Sequence, residues 1–405
     1  MSRLKVLIAG AGLGGLCLAQ SLREHDVDVD VFERDRNPWD RPQGYRLHID
    51  SDGVNALYQS LSSDAFHLFD ATSMKALPFT TIVDTSLAIQ RRLPSDEHGS
   101  TQVHASAELP AHVNVNRATL RQILLTGLED RIQFGRRLAQ YEVDERGVSV
   151  TFEDGTRATG DLLVGADGIR SAVRSQRAPH LSLQDTGVRA IYGRVPIAAA
   201  LRYVPDQARE DVFTVAIDER KVFLGLGPVV FPMRPELAAS RILPEADLHP
   251  QDDYVVCIVG GRAEYFGGDD ARLAALSSED LQRLAVDVMR DWPASARDIP
   301  AHGDPESFFI VTMRTSIPGP LPESASVTLL GDAVHAMTPT LGRGANIAMR
   351  DAAQLGQHLV SVVDGERSLA DALREYESAM VRYGFDAVRT SATMGTRLMG
   401  QQPLP

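Results

Sequence analysis

The chain has 405 residues, more than one domain usually holds, so two domains or one discontinuous pair is expected. Hydrophobic residues make up 43% and charged residues 23%, an ordinary globular composition that excludes extended disorder. With 41 basic against 54 acidic side chains the formal charge is −13, and the lack of any Lys or Arg run sets nucleic acid aside as a partner.

Two basic residues, Arg3 and Lys5, precede an apolar stretch as in a secretory leader, but Gly10, Gly12, Gly14 and Gly15 have no use in one. Leu4 to Ala9 reads as a short buried strand, Leu13 to Glu24 as a helix and Val27 to Glu33 as a second strand, which makes one βαβ unit. Asp28 and Asp30 alternate with Val27, Val29 and Val31, the mark of a strand with one wet face rather than of a paired acid and base. A polar stretch from Arg36 to Gln43 carries Pro38 and Pro42. Gly44 to Ile49 then alternates like a half-buried strand, and residues 53 to 62 read as helix.

Residues 78 to 115 have the texture of hairpins and loops, and His104 and His112 within them are expected to be solvent-exposed. A helix from Arg117 to Glu129 places Leu120, Ile123, Leu124 and Leu128 on one face. Val143 to Glu153 predicts two antiparallel strands around the turn Asp144-Glu145-Arg146-Gly147, and Asp161 to Ala166 another buried strand.

Between about 182 and 316 the pattern is β: Arg189 to Ile197, Val212 to Ile217, Val222 to Leu226, Tyr254 to Val259 and Phe308 to Thr315, with only Ser278 to Trp292 reading as a clear helix. Val327 to Leu330 is a strand, and helices return at Asn346 to Val363 and Leu369 to Leu398, where Met394 and Met399 read as packing residues. No internal repeat, low-complexity segment or membrane-length apolar run interrupts this order. Cys17 and Cys257 form neither a CxxC pair nor a framework, and no zinc spacing is legible, so a cytoplasmic protein with no metal and no membrane partner is expected.

Three motifs carry chemistry. Gly10-Ala11-Gly12-Leu13-Gly14-Gly15 is a GxGxxG between a strand and a helix: the first glycine permits the tight turn, the second lets a pyrophosphate reach the backbone, and Gly15 lets the helix pack close. The helix N-terminus then faces the phosphates, and Glu33 stands where a carboxylate binds a ribose. This choice of acid opposes the extra phosphate of NADP, an exclusion that the neighbouring Arg34 weakens, and it leaves FAD and NAD both open. Asp161 to Arg174 is a buried strand that ends in Asp167-Gly168, which alone is also the pattern of a plain turn. In Gly331-Asp332 followed by Gly342 to Asn346, a carboxylate suited to a polyol hydroxyl precedes a glycine turn whose helix start suits an electron-rich ring edge. His335 within it reads as structural, because nothing pairs it with a nucleophile.

In this order and spacing the motifs resemble the single-component FAD-dependent aromatic hydroxylases and related flavoprotein monooxygenases of the p-hydroxybenzoate hydroxylase fold. The likeness is strongest at 4–49, 114–128, 161–174 and 329–356 and weakest at 182–310. It implies an α/β protein: a Rossmann-like FAD-binding domain of residues 1–77, 101–181 and 317–405, ending in a C-terminal helical segment, with an inserted β-rich substrate domain of residues 78–100 and 182–316.

By the same resemblance Gly10, Gly12, Leu13, Gly15 and Glu33, with Arg34 beside it, hold the ADP half of FAD. Asp167 lies near the pyrophosphate and the place where NAD(P)H visits, and Asp332 near the ribityl or pyrophosphate region. Gly342, Gly344, Ala345 and Asn346 line the isoalloxazine. Arg46 contacts the flavin, Arg117 approaches its phosphates, and Arg41 is a weaker candidate for steering NAD(P)H. Among the strand residues Arg189, Tyr192, Tyr254, Arg262, Tyr265 and Arg314, the substrate contacts of choice are Arg189, Tyr192 and Arg314. No catalytic side chain is legible.

The activity implied is that of a monooxygenase: NAD(P)H as transient reductant, O2 adding to the flavin as a C4a-hydroperoxide, and one oxygen passing to an aromatic or polyketide-like small molecule by hydroxylation, Baeyer-Villiger reaction or epoxidation. The lack of a second GxGxxG suits a reductant that leaves, and the lack of WxWxIP argues against a tryptophan halogenase. Two alternatives stay open: a pyridine-nucleotide dehydrogenase, which gives the Asp332 to Asn346 segment no task, and a flavoprotein whose FAD is structural while its pocket binds or cyclises a substrate.

Overall fold

In the computed structural model, which describes residues 3–38, 44–95 and 109–405, a five-stranded parallel sheet organises both ends of the chain. Its order is Val327–Leu329, Leu162–Gly165, Leu4–Ala9, Val27–Glu33, Ile132–Phe134. Parallel strands are covered on both faces and so read as apolar runs; Val6, Leu7, Ile8, Leu162, Leu163 and Val164 are all fully buried. In register, Gly165 pairs with both Ala9 and Leu329, so the three motif-bearing strands end together at one edge of the sheet.

Helix Leu13–Leu22 lies close over that sheet. A Cβ on Gly15 would stand 2.1 Å from the Gly10 carbonyl oxygen, and one on Gly14 would stand 2.7 Å from Leu330 Cδ1. Helix Gly344–Val363 crosses it, and a Cβ at Gly356 would meet Ser21 Oγ at 2.2 Å. Cys17 and Cys257 are both free and buried.

Several expected elements differ in extent. The hairpin turns between Asp144 and Gly147, but its first strand begins at Leu138 and a third strand, Arg157–Gly160, extends it. Helix Ser51–Ser60 is followed by an unforeseen helix Ser63–Thr72, capped by Ser62 Oγ accepting from Ala65 N–H. Helix Arg117–Leu125 stops before Glu129 and gives way to a 3-10 turn, Glu129–Arg131.

A seven-stranded sheet forms the second layer, in the order Phe309–Ser316, Leu183–Pro196, Tyr254–Arg262, Phe223–Val229, Asp211–Ile217, Leu77–Val83, Ile89–Pro94. One face buries Ile191, Val195, Leu224, Leu226, Val255 and Cys257 against helices Ser278–Val288 and Ala294–Ala301. On the other face Tyr192, Ile258, Gly225 and Val215 stand in register. The single helix expected here is joined by Ile197–Tyr203, Asp206–Glu210, Pro235–Ile242, Asp270–Ala274 and Ala294–Ala301. Pro196, Pro205 and Pro293 directly precede three of them and Pro235 opens a fourth, so these prolines serve as helix starts. Ala238, Ala239, Leu243, Ala246 and Leu248 join the core of the parallel-sheet body, although they lie in a stretch expected with the substrate domain.

Helix Leu369–Met399 joins the layers. Near its start Tyr376 O–H donates to the Leu329 carbonyl (2.9 Å), and Glu377 accepts both forks of Arg177 (2.6 and 2.9 Å) and the Thr328 hydroxyl. At its end Met399 packs with Val188, Ala190, Phe223 and Met313 of the second sheet. Among the described residues no helix is long and apolar enough to cross a membrane, and no group of three or more His, Cys, Asp or Glu could hold a metal ion. Glu377→Ala leaves the Arg177 guanidinium buried without its carboxylate; the expected loss is about 3–5 kcal/mol, read from urea denaturation.

Candidate functional site

The first strand ends at Gly10, whose φ of 111° only glycine adopts readily and whose N–H donates to Phe32 O at 2.7 Å. A Cβ there would lie 2.3 Å from the Ala166 carbonyl oxygen. Gly12 is different: it precedes the helix in extended conformation, no side chain caps the helix, and no atom lies within 4 Å of where its Cβ would sit. The bare backbone at Gly12 leaves the start of helix Leu13–Leu22 with no side-chain cap. Glu33 is buried; its Oε2 accepts from Ala11 N–H (2.8 Å) and its Oε1 from Asp35 N–H (3.0 Å), which leaves one acceptor direction on each oxygen for ribose hydroxyls. Arg34 follows, half-buried.

The sequence reading missed Arg121, which braces this turn: its Nε donates to Ala11 O at 3.1 Å and its Nη1 to Pro38 O. It lies four residues after Arg117 on helix Arg117–Leu125, a spacing that puts both on one face and was the available signal.

Asp167 follows strand Leu162–Gly165. Its Oδ2 accepts from Ala172 N–H (2.7 Å) at the start of helix Ala172–Arg177, while its Oδ1 is buried without a partner. Burial pushes this carboxyl up from the usual carboxylate range. Arg174 ties the turn to the third motif, with Nη1 donating to both Ile169 O and Ala333 O at 3.0 Å.

In the third motif Gly331 has φ 61° and donates its N–H to Asp351 Oδ2 (2.8 Å). Asp332 keeps an exposed surface. Burial lifts its carboxyl above the usual range, against the opposing charges of His335 and Arg117. A Cβ on Gly344 would come within 4.0 Å of Asp332 Oδ1. Gly344 starts helix Gly344–Val363, which no side chain caps, with Ala345 half-buried behind it.

Asn346 is held by three backbone groups. Its Oδ1 accepts from Asp50 N–H (3.1 Å), and its Nδ2 donates to His48 O (3.0 Å) and Gly342 O (3.1 Å), so the fully buried amide shapes the turn at Gly342 (φ 66°). Arg343 between the two glycines pairs with Asp52 (2.6 Å) and Asp50 (3.7 Å), and Arg350 reaches Asp52 from the next turns (3.4 Å). This buried charge cluster had no sequence signal, because its members come from two helices far apart in the chain.

Other expectations sort as follows. His335 Nε2 lies 2.6 Å from Asp351 Oδ2, so it is a structural pair. His112 is not solvent-exposed: it is half-buried, 2.9 Å from His48. His104 and Arg41 lie outside the described residues. Arg46 holds the ribbon of Arg46–Ile49 and Val113–Asn116 to the second sheet, donating to Asn114 Oδ1 (2.6 Å) and Val212 O, with Phe213 under it; burial lowers its pKa to about 9. Tyr192 stacks on Phe309 with centroids 5.5 Å apart, and Tyr45 stands edge-on to Phe309 and Tyr254. Arg189 is on the opposite face of its strand, clamped by Asp270 (2.7 Å) and Asp185 (2.8 Å), because alternation turns odd-numbered neighbours such as Ile191 to the helix side. Arg314 pairs in register with Asp185 beside that clamp. Arg262 pairs with Glu264, and Tyr265 lies against Arg220.

Two glycine substitutions separate binding from folding. Gly12→Ala meets no protein atom and is expected to keep the thermal midpoint of the FAD-free protein while weakening FAD at least about tenfold, roughly 1.4 kcal/mol, in a flavin-fluorescence titration. Gly15→Ala collides with the Gly10 carbonyl and is expected to cost about 1–3 kcal/mol of stability. A third expectation concerns pH. Burial disfavours the His335 imidazolium, but Asp351 overrides it and raises the pKa. The folded state then holds that proton more tightly than the unfolded one, so the contribution is complete below about pH 6.5 and fades as pH rises through the raised value. Urea midpoints should fall on that rise in the native protein, and Asp351→Asn should flatten the dependence.

Comparisons with known proteins agree with this geometry. A family model described as FAD binding domain matches residues 3–391. The dual O-methyltransferase/FAD-dependent monooxygenase elcB of Phaeosphaeria nodorum is 34% identical, over 98% of this chain and 46% of that protein, so the chain spans about half the length of the curated relatives it matches first. A solved structure of a putative FAD-containing monooxygenase from Photorhabdus luminescens superposes with a TM-score of 0.80 at 28% identity, covering 98% of each chain. HpxO of Klebsiella pneumoniae, solved with FAD and uric acid, shares the fold with a TM-score of 0.74 at 24% identity, over 98% of this chain and 89% of that one. The chain therefore belongs to the FAD-binding domain family, as a flavoprotein of the p-hydroxybenzoate hydroxylase fold whose relatives include FAD-dependent monooxygenases, and FAD is its cofactor.

Proposed function

We propose that this chain is an FAD-dependent monooxygenase that uses NAD(P)H and O2 to place one oxygen atom on an aromatic or polyketide-like small molecule. The observation that carries the reading is the meeting of the two glycine turns at one sheet edge: Gly14 abuts Leu330 and Ala348, and Gly344 abuts Asp332. Glu33 and the Gly342 turn would then hold the two ends of one FAD. FAD, when bound, supplies the electron transfer and oxygen chemistry.

The residues of the chain bind, orient and exclude water. The start of helix Leu13–Leu22 receives the pyrophosphate, and Glu33 takes the ribose hydroxyls. The raised pKa of Asp332 suits it to exchange hydrogen bonds with the ribityl chain. The uncapped start of helix Gly344–Val363 would offer its N–H groups to the electron-rich edge of a flavin ring. Over it the face bearing Tyr192, Phe309 and Ile258 offers an apolar, aromatic roof. In this reading residues 1–77, 101–181 and 317–405 form the FAD-binding part, and 78–100 and 182–316 the substrate part.

The test is the visible spectrum of the purified protein followed during turnover. A yellow protein that NADPH or NADH bleaches, with oxygen uptake stimulated by an aromatic compound, supports the reading; FAD that stays oxidised with every aromatic tried would make it a structural cofactor instead. Tyr192→Leu is expected to leave FAD content unchanged and to raise the substrate KM by up to about tenfold, since an aromatic contact contributes roughly 0.5–1.5 kcal/mol.

A further inference from the structure

Just past the end of helix Leu369–Met399, Gln401 carries a hydrogen-bond donor that the fold leaves unused. The residue is 2% exposed, and its carboxamide folds back along the helix, where a Cβ on Gly395 would stand 2.2 Å from its Oε1. That oxygen accepts from the Thr338 hydroxyl at 3.0 Å. Its Nε2 is buried and finds no partner among the described residues. A buried amide donor without an acceptor is costly to keep, and an apolar side chain would fill the same space without that cost.

The hydroxyls around the carboxamide decide which of its ends is spare. Ser391 Oγ is 3.1 Å from Thr338 Oγ1, but it gives its proton to the Thr338 carbonyl at the shorter 2.7 Å. Thr340 Oγ1 is 3.0 Å from Thr338 Oγ1. With the Thr340 proton on a lone pair of Thr338, the Thr338 proton goes to the carboxamide oxygen. The NH2 group is left over.

Its neighbours place Gln401 between the second sheet and the glycine turn. Thr338 leads through the 3-10 turn Pro339–Leu341 into Gly342, whose N–H donates back to Pro339 O at 3.0 Å. Pro339 and Gly342 both keep exposed surface. On the other side Leu398 and Met399 pack in one cluster with Val188, Ala190, Tyr192 and Ile258 of the second sheet, and Gln402 N–H donates to Thr186 O at 2.9 Å. That cluster offers a ligand contact area rather than hydrogen bonds. The spare donor lies at its margin.

We infer that Gln401 is a specificity residue whose Nε2 donates to a carbonyl oxygen on the ring system held between the second sheet and the Gly342 turn. This rests on the monooxygenase reading and narrows its substrate class to aryl ketones, quinones and aryl lactones. Gln401 makes and breaks no bond in the reaction. By holding the carbonyl it sets which way round the molecule lies.

The test uses FAD-loaded, oxidised protein without nicotinamide and two probes that differ only in a ketone, 7-hydroxychroman-4-one and 7-hydroxychroman, titrated by calorimetry. Native protein is expected to bind the ketone about tenfold more tightly, the worth of one buried hydrogen bond that would otherwise go unpaired. Gln401→Met fills a similar volume without a donor and is expected to erase that preference. Damage to the chain end alone weakens both probes together, so a variant that keeps the native ratio would overturn the inference. Native protein that binds the two probes alike, as it does when Nε2 serves only a buried water, would overturn it too, and so would native protein that binds neither at millimolar concentration. If Gln401→Met does not fold, Gln401→Asn, which keeps the amide but draws it back by one methylene, decides by the same ratio. NAD(P)H consumption and oxygen uptake with 7-hydroxychroman-4-one separate the two ideas: a ratio that depends on Gln401 while the flavin stays oxidised counts against the oxygenase reading alone, whereas turnover with a ratio indifferent to Gln401 sinks only this inference.

Discussion

Everything at the site depends on how near helix Leu13–Leu22 comes to the parallel sheet. At Gly10, Gly14 and Gly15 a single added carbon would fall between 2.1 and 2.7 Å from a neighbouring heavy atom, inside the repulsive wall of any contact. Because those carbons are missing, the first helix start, the end of strand Val327–Leu329 and the start of helix Gly344–Val363 converge on one edge of the sheet. At Gly12 nothing stands in the way, so the crowding stops there. Glycine thus has two opposite settings within six residues: three positions are crowded by protein, and one is open.

The convergence brings two uncapped helix starts toward one region, a concentration of partial positive charge that an anionic, electron-accepting cofactor complements. The acidic side chains nearby are held away from it or modified by it. Asp52 is fully buried and tied to Arg343 and Arg350. Asp50 caps helix Ser51–Ser60, and burial lifts its pKa to about 6. Asp351 is spent on Gly331, His335 and Tyr383. Asp332 alone of these keeps an exposed surface beside the glycine turn, which is why it is the carboxyl assigned to a polyol.

The first glycine turn was legible because its constraints are local. A strand, four glycines, a helix and an acid within thirty residues leave few other structures possible, and Gly10, Gly12, Gly15 and Glu33 all fall at one turn. What was not legible depends on partners distant in sequence. Nothing around Arg189 reveals that Asp270 waits on the helix side, and nothing in Asn346 says that its amide will be used up by Asp50, His48 and Gly342. Arg121 stood one turn beyond Arg117 and could have been found from helical spacing. The short helices of the second body escaped because each runs only 5 to 8 residues, too few turns for a helical period to show.

Helix Leu369–Met399 runs 31 residues, about 46 Å at 1.5 Å per residue. It is bolted at one end to Leu329 and Arg177, and at the other Ser391 and Gln401 grasp Thr338 while Met399 rests on the second sheet. It works as a ruler between the parallel sheet and the second sheet. A lineage adapting this scaffold to new molecules is therefore free to rework strands Leu77–Val83 and Ile89–Pro94 at the far margin, whereas changes near Val188, Ala190 and Met313 would move the ruler's landing point and detune the other end as well.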